Sequence, residues 1–504
     1  MNLTPFIRSI FEARLKQMHR YVDYGEWVQR EILEKLVGQA AYTEFGLKYK
    51  LGNIKGYNDF RSSIPLHTYA DLEPHIRRMM RGSKNILWPG VCKRFAQSSG
   101  TSGQKSKYIP ITNDSLKHNH FRGATDVVVH YLNMNPNSQM FSGKGFILGG
   151  SFATEATGMP KSTKVGDLSA SLIECINPLA NFMRVPKKSI ALMEDWKKKV
   201  PALVDASIKQ NVTNISGVPS WFLTVLQEVL KKTGAKTIHE VWPNLEVFFH
   251  GGICFEPYRA QYEQICDMSK MHFVETYNAS EGFFATQSSF DSQAMLLLLD
   301  VGVFYEFIPI KESESKFPNV LPMWSVKQGE VYELVITSCN GLWRYRIGDT
   351  VRIEQLNPLK ISIVGRTKSF LNAFGEELMV FNADNAIAHA AVETDSNVAN
   401  YTAAPVFPAD GKKGRHQWLI EFNREPADLN KFAQALDKNL KAENSDYEAK
   451  RTGDIFLDMP EIVVAKPGLF DQWLGQSGKL GGQRKVIRLS NSRKFIEELL
   501  ALNS

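Results

Sequence analysis

The chain has 504 residues, of which 43% are hydrophobic, and a formal net charge of +7 from 60 basic and 53 acidic side chains. This length allows more than one buried core, and so slight an excess of positive charge argues against a nucleic-acid-binding protein. Five dispersed cysteines without Cys-x-x-Cys spacing indicate neither a disulfide framework nor a zinc site, so we expect reduced thiols and a cytoplasmic protein.

The N-terminal segment, up to about Leu51, is predicted to form helices packed on the body of the protein. Phe6 and Ile10, and later Ile32 and Leu36, recur at helical spacing. Charged residues interrupt the start of the chain, unlike a signal peptide, and no stretch approaches the roughly 18 apolar residues of a membrane span. We therefore expect a soluble monomer without a membrane partner.

Next, Thr68 followed by Asp71 predicts a helix N-cap and a helix to about Arg81. The run Ser-Ser-Gly-Thr-Ser-Gly-Gln-Lys-Ser-Lys then occupies residues 98–107. Glycines let backbone N–H groups turn toward an anion, hydroxyls add donors and lysines add charge, which favours a phosphate-binding loop. The run does not fit a Walker A loop, and taken alone it is equally well a flexible surface loop.

Beyond this loop, strands and helices alternate as far as Tyr277, which predicts an α/β core with a largely parallel sheet. The predicted elements are strands at 108–112, 145–150, 245–250 and 272–276, and helices at 114–132 and 220–232. Residues 151–190 have no clear period, and we expect residues 118–190 to shape a substrate pocket. Residues 251 and 252 are both glycine and predict a tight turn after the strand.

From Val301 to Val364, short β-type runs separated by Gly and Asn predict an antiparallel sheet or a small barrel attached to the core. A compact α+β segment follows, with predicted helices near 382–392 and 426–441 and predicted strands at 402–407, 416–422 and 461–465, the first two joined by a turn at 410–412. We divide the chain into a large N-terminal domain at 1–364, a hinge at 365–375 and a small, mobile C-terminal domain at 376–504.

Two stretches carry carboxylates at strand ends. Tyr277-Asn278-Ala279-Ser280-Glu281-Gly282 follows a predicted strand, where ligands of open α/β sheets bind, and Glu281 could hold Mg²⁺ against nucleotide phosphates. Tyr345-Arg346-Ile347-Gly348-Asp349 places an aspartate behind a glycine at a predicted strand boundary, suited to accept from ribose hydroxyls. The alternatives are a solvated loop glutamate and an ordinary turn aspartate.

Two basic stretches come later. Gly365-Arg366 lies at the predicted hinge, where Arg366 could reach a ribose or phosphate or simply be solvated. Near the C-terminus, Gln483-Arg484-Lys485 follows two glycines, and a lysine in such a turn is usually only solvated.

In their order along the chain, these stretches resemble those of adenylate-forming enzymes. More narrowly, Ser-Ser-Gly-Thr-Ser at 98–102, Ala-Ser-Glu at 279–281 and Tyr-Arg-Ile-Gly-Asp at 345–349 resemble the acyl acid amido synthetases of the auxin-responsive GH3 family. The resemblance spans essentially the whole chain. It implies that residues 1–364 are an adenylation domain and that ATP and Mg²⁺ are required.

The resemblance also assigns roles to residues. The implied nucleotide-binding set comprises Ser98, Ser99, Gly100, Thr101, Ser102, Gly252, Tyr277, Ala279, Ser280, Asp349 and Arg366. Within it, Asp349 binds the ribose, while Glu281 coordinates Mg²⁺ or lies beside the α-phosphate. Lys485 bonds the α-phosphate and carboxylate oxygens in the first half-reaction; Lys479, in a Ser-Gly-Lys run like that of acyl-CoA ligases, is the rival. Ser369 and Asn372 depart from the Asp and Lys of many acyl-CoA ligases, so the hinge mechanics of those enzymes are not carried over.

The implied activity has two steps. A carboxylic acid is activated as an acyl adenylate with release of pyrophosphate, and the acyl group then passes to the amine of an amino acid with release of AMP. The alternatives are an acyl-CoA ligase and a non-catalytic nucleotide-binding protein. Phe121, Phe152, Met159 and Phe182 would suit an aromatic or apolar acid, although each is more often a core residue. The identities of the acid and of the amino acid stay open.

Overall fold

The computed structural model describes residues 2–99, 106–152, 159–253, 255–366, 370–408, 413–454, 456–476 and 486–504. The chain divides into two compact units. The first comprises Met1–Gln97, Tyr108–Gly252 and Arg259–Thr367, and the second comprises Ser98–Lys107, Ile253–Tyr258 and Lys368–Ser504. The long C-terminal segment of the second unit begins inside the stretch predicted as a hinge.

Helices and strands alternate through much of the chain. The helices are α1 Thr4–Ala40, α2 Glu44–Lys48, α3 Tyr57–Ser63, α4 Tyr69–Met80, α5 Phe121–Met134, α6 Leu168–Cys175, α7 Pro178–Phe182, α8 Lys188–Ala191, α9 Trp196–Ser207, α10 Pro219–Thr233, α11 Ile238–Val241, α12 Glu256–Ile265, α13 Val380–Glu393, α14 Leu429–Glu443, α15 Ser445–Arg451, α16 Leu469–Gln476 and α17 Lys494–Asn503. A π-helix, Ser115–His120, leads directly into α5.

The strands are β1 Arg94–Ser99, β2 Ser106–Ile111, β3 Lys144–Ile147, β4 Lys164–Gly166, β5 Arg184–Val185, β6 Val212–Gly217, β7 Val247–Gly251, β8 His272–Ala279, β9 Gly282–Gln287, β10 Met295–Leu297, β11 Val303–Pro309, β12 Leu321–Pro322, β13 Val331–Ser338, β14 Leu342–Gln355, β15 Lys360–Arg366, β16 Phe370–Leu371, β17 Leu378–Met379, β18 Asn397–Val406, β19 Arg415–Arg424 and β20 Glu461–Ala465. A mixed α/β architecture is confirmed.

Besides most of a three-stranded sheet in the order β2-β1-β4, the first unit contains one large mixed sheet. Among the described residues its strand order is β12-β11-β13-β14-β15-β10-β9-β8-β7-β6-β3-β5. Strands β5, β3, β6, β7 and β8 run parallel, as the alternation of elements predicted, and β8 to β12 are joined through antiparallel pairs. The antiparallel strands therefore extend the parallel ones instead of forming a separate part.

Local signals in the sequence explain where several helices begin and end. The Thr68 backbone N–H donates to the Asp71 carboxylate at 2.7 Å, which supports the start of α4. Helix α10 ends at Gly234, whose φ of +73° is the left-handed conformation that glycine adopts without steric cost. Both predicted helices are confirmed to within about two residues.

In its first half, the long helix α1 is tied by Arg14 to Asp126 of α5 and to Asp300, which lies between β10 and β11. Arg14 donates to both carboxylate oxygens of Asp126 at 2.7 and 2.6 Å and to both of Asp300 at 2.6 Å. Tyr21 also donates to Asp300, at 2.5 Å. This differs from the predicted apolar contact at the start of the helix, because Phe6 is 68% and Ile10 is 57% exposed.

The second unit has its own sheet, in the order β18-β19-β20, with β18 antiparallel and β20 parallel to β19. Leu469 and Phe470 of α16 form a core with Phe495 and Leu499 of α17. Buried Glu376 accepts hydrogen bonds from the backbone N–H groups of Ala373 at 3.1 Å and Phe374 at 2.6 Å and pairs with His416 at 2.9 Å. The end of the predicted hinge is thus held firmly within this unit. The turn predicted at 410–412 lies outside the described residues.

Within the described part of the chain, no helix combines the length and apolar character needed to cross a membrane.

Candidate active site

The β8–β9 hairpin carries the glutamate singled out in the sequence. Ala279 pairs with Gly282, so Ser280 and Glu281 form a two-residue turn. Glu281 is only 8% exposed. A carboxylate withdrawn from water is costly unless a positive charge or hydrogen-bond donors face it. The buried position therefore disagrees with the alternative of a solvated loop glutamate.

Two of the sequence motifs meet inside the first unit. The Tyr277 hydroxyl donates to Asp349 Oδ2 at 2.6 Å, although the two residues are 72 positions apart in the chain. Both side chains are buried, at 4% and 6% exposure. Asp349 also lies opposite Arg366 in the register of β14 and β15. The Tyr277, Asp349 and Arg366 segments are thus neighbours, and only the backbone of Arg366 is described.

The aspartate motif lies within a strand instead of at its boundary. Strand β14 runs unbroken from Leu342 to Gln355, so the predicted boundary is wrong. Gly348 does not end the strand, because it lies at an irregularity in the pairing of β14 with β13. The register of the two strands shifts there, between Glu333 and Val335 of β13. Gly348 has a φ of +87°, which a residue with a side chain adopts only under strain. The irregularity turns the strand locally at Asp349 without ending it.

Arg346 of the same motif has a structural partner. Its Nε donates to Glu333 Oε1 at 2.9 Å and its Nη2 to Ser313 O at 2.5 Å. The hydrogen bonds to Glu333 raise the pKa of Arg346. Because the guanidinium is already engaged, Arg346 is a poor candidate for binding a phosphate.

Gly251 and Gly252 shape the strand end beside the glutamate hairpin. A Cβ added at Gly251 would lie 2.4 Å from the Thr276 carbonyl oxygen, so only glycine permits this approach of β7 to β8. Gly252 has a φ of +85°, which glycine adopts without strain, and lies in a bend directly after β7. The pair therefore keeps the carboxyl end of β7 close to the segment that carries Tyr277.

The predicted phosphate loop is described only in part. Ser98, grouped with the second unit, donates from Oγ to Glu377 Oε2 at 3.3 Å, and Ser99 is the last residue of β1. Four predicted site residues and the rival lysine lie outside the described residues, namely Gly100, Thr101, Ser102, Lys485 and Lys479. Ala279 and Ser280 flank Glu281 and are partly exposed.

The aromatic residues suggested for an acid pocket are dispersed. Phe121 and Met159 pack against the main core, which is the alternative interpretation given above. The Lys164 ammonium lies 5.3 Å from the Phe152 ring centroid, and Phe182 is 73% exposed. These contacts alone do not outline an apolar pocket.

Two residues beside Glu281 were missed by sequence reasoning. Asn340 Nδ2 donates to the Glu281 carbonyl at 3.1 Å, and Asn119 makes two hydrogen bonds to the backbone of Phe283, at 2.7 and 3.0 Å. Neither asparagine belongs to a recognisable motif. One indirect signal is Gly282, where an added Cβ would lie 3.2 Å from Asn119 Oδ1.

Metal binding at this site would depend on Glu281. Among the described residues, no group of three or more His, Cys, Asp or Glu side chains has an arrangement that could hold one. Mg²⁺ that accompanies a nucleotide is usually held by one or two carboxylates together with phosphates and water, so a single buried carboxylate suffices. Glu281 fits this role.

Family models match most of the chain. The GH3 family N-terminal domain matches residues 14–271, the central domain 296–366 and the C-terminal domain 381–494. Among curated proteins, the chain is 21% identical to an indole-3-acetic acid-amido synthetase, GH3.5 of Arabidopsis thaliana, over 98% of this chain and 93% of that protein.

Solved structures show the same fold. The GH3.15 acyl acid amido synthetase matches with a TM-score of 0.61 and 18% identity, over 97% of this chain and 95% of that one. A 2-hydroxyisobutyryl-CoA ligase, in complex with 2-HIB-AMP and CoA, matches with a TM-score of 0.59 and 12% identity, over 95% and 92% of the two chains. At such low identity these two likenesses establish the fold alone.

Proposed function

This chain belongs to the GH3 family, and from that premise we propose that it is an ATP-dependent acyl acid amido synthetase. The curated relatives that it matches include amido synthetases acting on indole-3-acetic acid and on jasmonate. The observation that carries the proposal at the site is the 2.6 Å hydrogen bond from Tyr277 to Asp349. This bond joins two motifs that adenylate-forming enzymes share, and the motifs are too far apart in the sequence to be in contact simply as neighbours along the chain.

In the first half-reaction, a carboxylate oxygen attacks the α-phosphorus of ATP and the bond to pyrophosphate breaks. Asp349 accepts from the ribose hydroxyls, and the Tyr277 hydroxyl holds its carboxylate in place. The hydroxyls of Ser98, Ser99, Thr101 and Ser102 and the backbone N–H of Gly100 donate to phosphate oxygens. Mg²⁺ bound at Glu281 would supply charge neutralisation on those oxygens.

In the second half-reaction, the amine nitrogen of an amino acid attacks the acyl carbon and the bond to the AMP oxygen breaks. The amine loses a proton in this step.

Lys485 bonds the α-phosphate and carboxylate oxygens in the first half-reaction, where negative charge gathers. Little covalent chemistry is asked of the protein, since positioning and charge neutralisation supply most of the rate in reactions at phosphorus.

The direct experiment is acid-dependent pyrophosphate release, screened over a library of carboxylic acids and then, with the best acid, over amino acids. We expect Lys485→Ala to lower pyrophosphate release by about a hundredfold or more, as expected for loss of a charge that stabilises the transition state. Lys479→Ala is the matched control and is expected to keep most of the activity. The opposite result would transfer the role to Lys479. ATP binding without acid-dependent pyrophosphate release would contradict the proposed enzyme.

The second candidate is an acyl-CoA ligase, favoured by the Ser477-Gly478-Lys479 run. It shares the first half-reaction and differs only in the acceptor. Mass spectrometry of the products separates the two, because the proposal requires an N-acyl amino acid where the alternative requires a CoA thioester.

A further inference from the structure

The turn that carries Glu281 is held by more than the pairing of β8 with β9. Turns of two residues usually lie at the surface and move readily, whereas Glu281 in this turn is buried and carries the carboxylate assigned to Mg²⁺. Two buried amide side chains from distant parts of the first unit bond the hairpin backbone, one at Glu281 in the turn and the other at Phe283 in β9.

The first amide is Asn119, in the π-helix. Its Oδ1 accepts from the Phe283 N–H at 2.7 Å, and its Nδ2 donates to the Phe283 carbonyl at 3.0 Å and to the Val301 carbonyl at 3.0 Å. The side chain thus makes the pair of bonds that a neighbouring strand would make, and all its hydrogen-bonding groups are used. Asn119 is 2% exposed.

The π-helix brings this asparagine close to the turn. π-helical segments are rare and are frequently found at functional sites. A Cβ at Gly123 would lie 2.6 Å from the Phe283 ring, so a glycine there lets the helix approach β9. The Thr112 hydroxyl accepts from the Ser115 N–H at 3.0 Å at the start of the π-helix, and donates to the Cys339 carbonyl at 2.7 Å.

The second amide is Asn340, in the loop that joins β13 to β14. Its Nδ2 donates to the Glu281 carbonyl at 3.1 Å, and its Oδ1 accepts from the Ser338 hydroxyl at 2.6 Å, which fixes the orientation of the amide. Asn340 is fully buried, at 0% exposure. Through the Thr112–Cys339 bond, the loop that holds Asn340 is tied to the π-helix that holds Asn119.

We propose that Asn119 and Asn340 are positioning residues for Glu281, which hold its turn in place for the nucleotide-bound Mg²⁺. The inference rests on the proposed function, because it takes the role of Glu281 from there. The two asparagines touch no reacting atom and act only through the hairpin backbone, Asn340 at the Glu281 carbonyl and Asn119 at Phe283. Removing either amide takes away hydrogen bonds to the hairpin backbone, so we expect the turn to loosen.

The chain provides a matched control in Gln29. Its Nε2 donates to the carbonyls of Leu299 at 2.7 Å and Val303 at 2.9 Å, and its Oε1 accepts from the Tyr305 N–H at 2.9 Å. Gln29 is also fully buried, at 0% exposure. Like Asn119→Asp, Gln29→Glu replaces a buried amide of the first unit by a carboxyl group. Gln29, however, makes no hydrogen bond to the hairpin that carries Glu281.

The first measurement is hydrogen exchange of the full-length protein, followed by mass spectrometry on peptides that cover residues 276–287. Asn119→Asp and Asn340→Asp are expected to speed exchange at Glu281 and Phe283 by about tenfold or more, the effect of weakening a local hydrogen-bonded unit. Gln29→Glu is expected to leave these amides unchanged. Equal exchange in all three variants and wild type would overturn the proposal.

The second measurement is a double-mutant cycle on pyrophosphate release, with Mg²⁺ varied. Each asparagine variant is expected to raise the Mg²⁺ concentration needed for half-maximal rate by about fivefold to tenfold, and to have no further effect in a Glu281→Gln background. If the asparagines had a purely structural role, their losses in rate would add to that of Glu281→Gln and the Mg²⁺ requirement would not change, as we expect for Gln29→Glu. That result would refute the proposal. If Asn119→Asp fails to fold, Asn340→Asp, which loses one donor bond, carries the test.

The two proposals fail differently. Wild-type protein without acid-dependent pyrophosphate release would refute the function. If the wild type releases pyrophosphate normally but the losses of the asparagine variants add to that of Glu281→Gln, only the positioning role is refuted.

Discussion

The hydrogen bond between Tyr277 and Asp349 leads to a prediction on nucleotide binding. Asp349→Ala should raise the KM for ATP by about ten- to a hundredfold, because hydrogen bonds to a charged group contribute roughly 1.5–3 kcal/mol. Tyr277→Phe keeps the carboxylate and removes only its 2.6 Å donor, so we expect a smaller rise, of about threefold to tenfold.

Steady-state kinetics with ATP as the varied substrate checks this. Tyr131→Phe is the control, since the Tyr131 hydroxyl donates to Glu246 at 2.8 Å in a comparable pair outside the proposed nucleotide site. An unchanged KM for ATP in Asp349→Ala would contradict the ribose assignment.

His120 gives a prediction on acid stability. The side chain is buried, and among the described residues neither ring nitrogen has a hydrogen-bond partner. Burial lowers the pKa of His120 from 6.5 to about 4. The unfolded chain therefore binds a proton at a higher pH than the folded one, so stability is lost as the pH falls from 6.5 toward 4.

His120→Leu removes this contribution. Between pH 7 and pH 4 the wild type should lose on the order of 3 kcal/mol more of its free energy of unfolding than the variant does, the equivalent of a shift of about 2.5 pKa units. Urea unfolding at a series of pH values measures the difference, and His389→Leu, at an exposed position, serves as control. Parallel curves for wild type and His120→Leu would show that the folded protein accommodates the imidazolium.

Helix α1 is the element whose attachment is most readily tested. The Arg14 side chain is 11% exposed and that of its partner Asp126 is fully buried. Arg14→Met leaves a buried carboxylate without its counter-charge, which typically costs about 3–5 kcal/mol of unfolding free energy. Adding Asp126→Asn should recover part of the loss, because the uncompensated charge is removed.

Arg30→Met is the control on the same helix. Arg30 pairs with Glu26 at 2.6 Å, but both side chains are about half exposed, and such surface pairs contribute only about 0–1 kcal/mol. Denaturant unfolding of the three variants measures the difference. Equal losses in Arg14→Met and Arg30→Met would contradict the anchoring role of Arg14.

Elements with strong local signals were predictable from the sequence. The cap at Thr68, the glycine after α10 and the apolar run of β7 each fixed an element to within a few residues. The π-helix at 115–120 was not predictable, because its residues, Ser-Leu-Lys-His-Asn-His, carry no pattern that separates it from the α-helix predicted at 114–132. Nor was the continuity of β14, where a glycine normally marks a turn.

The exposed start of α1 was missed for a related reason. Phe6 and Ile10 have helical spacing, yet both are largely exposed, whereas Arg14 farther along the helix forms partly buried salt bridges with Asp126 and Asp300. At the site, motif residues such as Tyr277 and Asp349 could be named from the sequence. The asparagines that hold the turn could not, because a single buried amide leaves no pattern along the chain.

For the whole molecule, models of three GH3 family domains match successive parts of the chain, at 14–271, 296–366 and 381–494. We therefore expect one enzyme that carries out both half-reactions on a single polypeptide. We expect that ATP is converted to AMP and pyrophosphate in equal amounts with the amide product, and that neither ADP nor free phosphate is formed.

Oxygen transfer tests this claim most directly. When the best acid is labelled with ¹⁸O in its carboxyl group, the oxygen that attacks the α-phosphorus stays with phosphorus once the amine has displaced it from the acyl carbon. For an amido synthetase with an acyl adenylate intermediate, we expect one ¹⁸O in the phosphate of AMP for each amide bond formed, as measured by mass spectrometry. Label in free phosphate with ADP as the nucleotide product, or AMP without label, would contradict it.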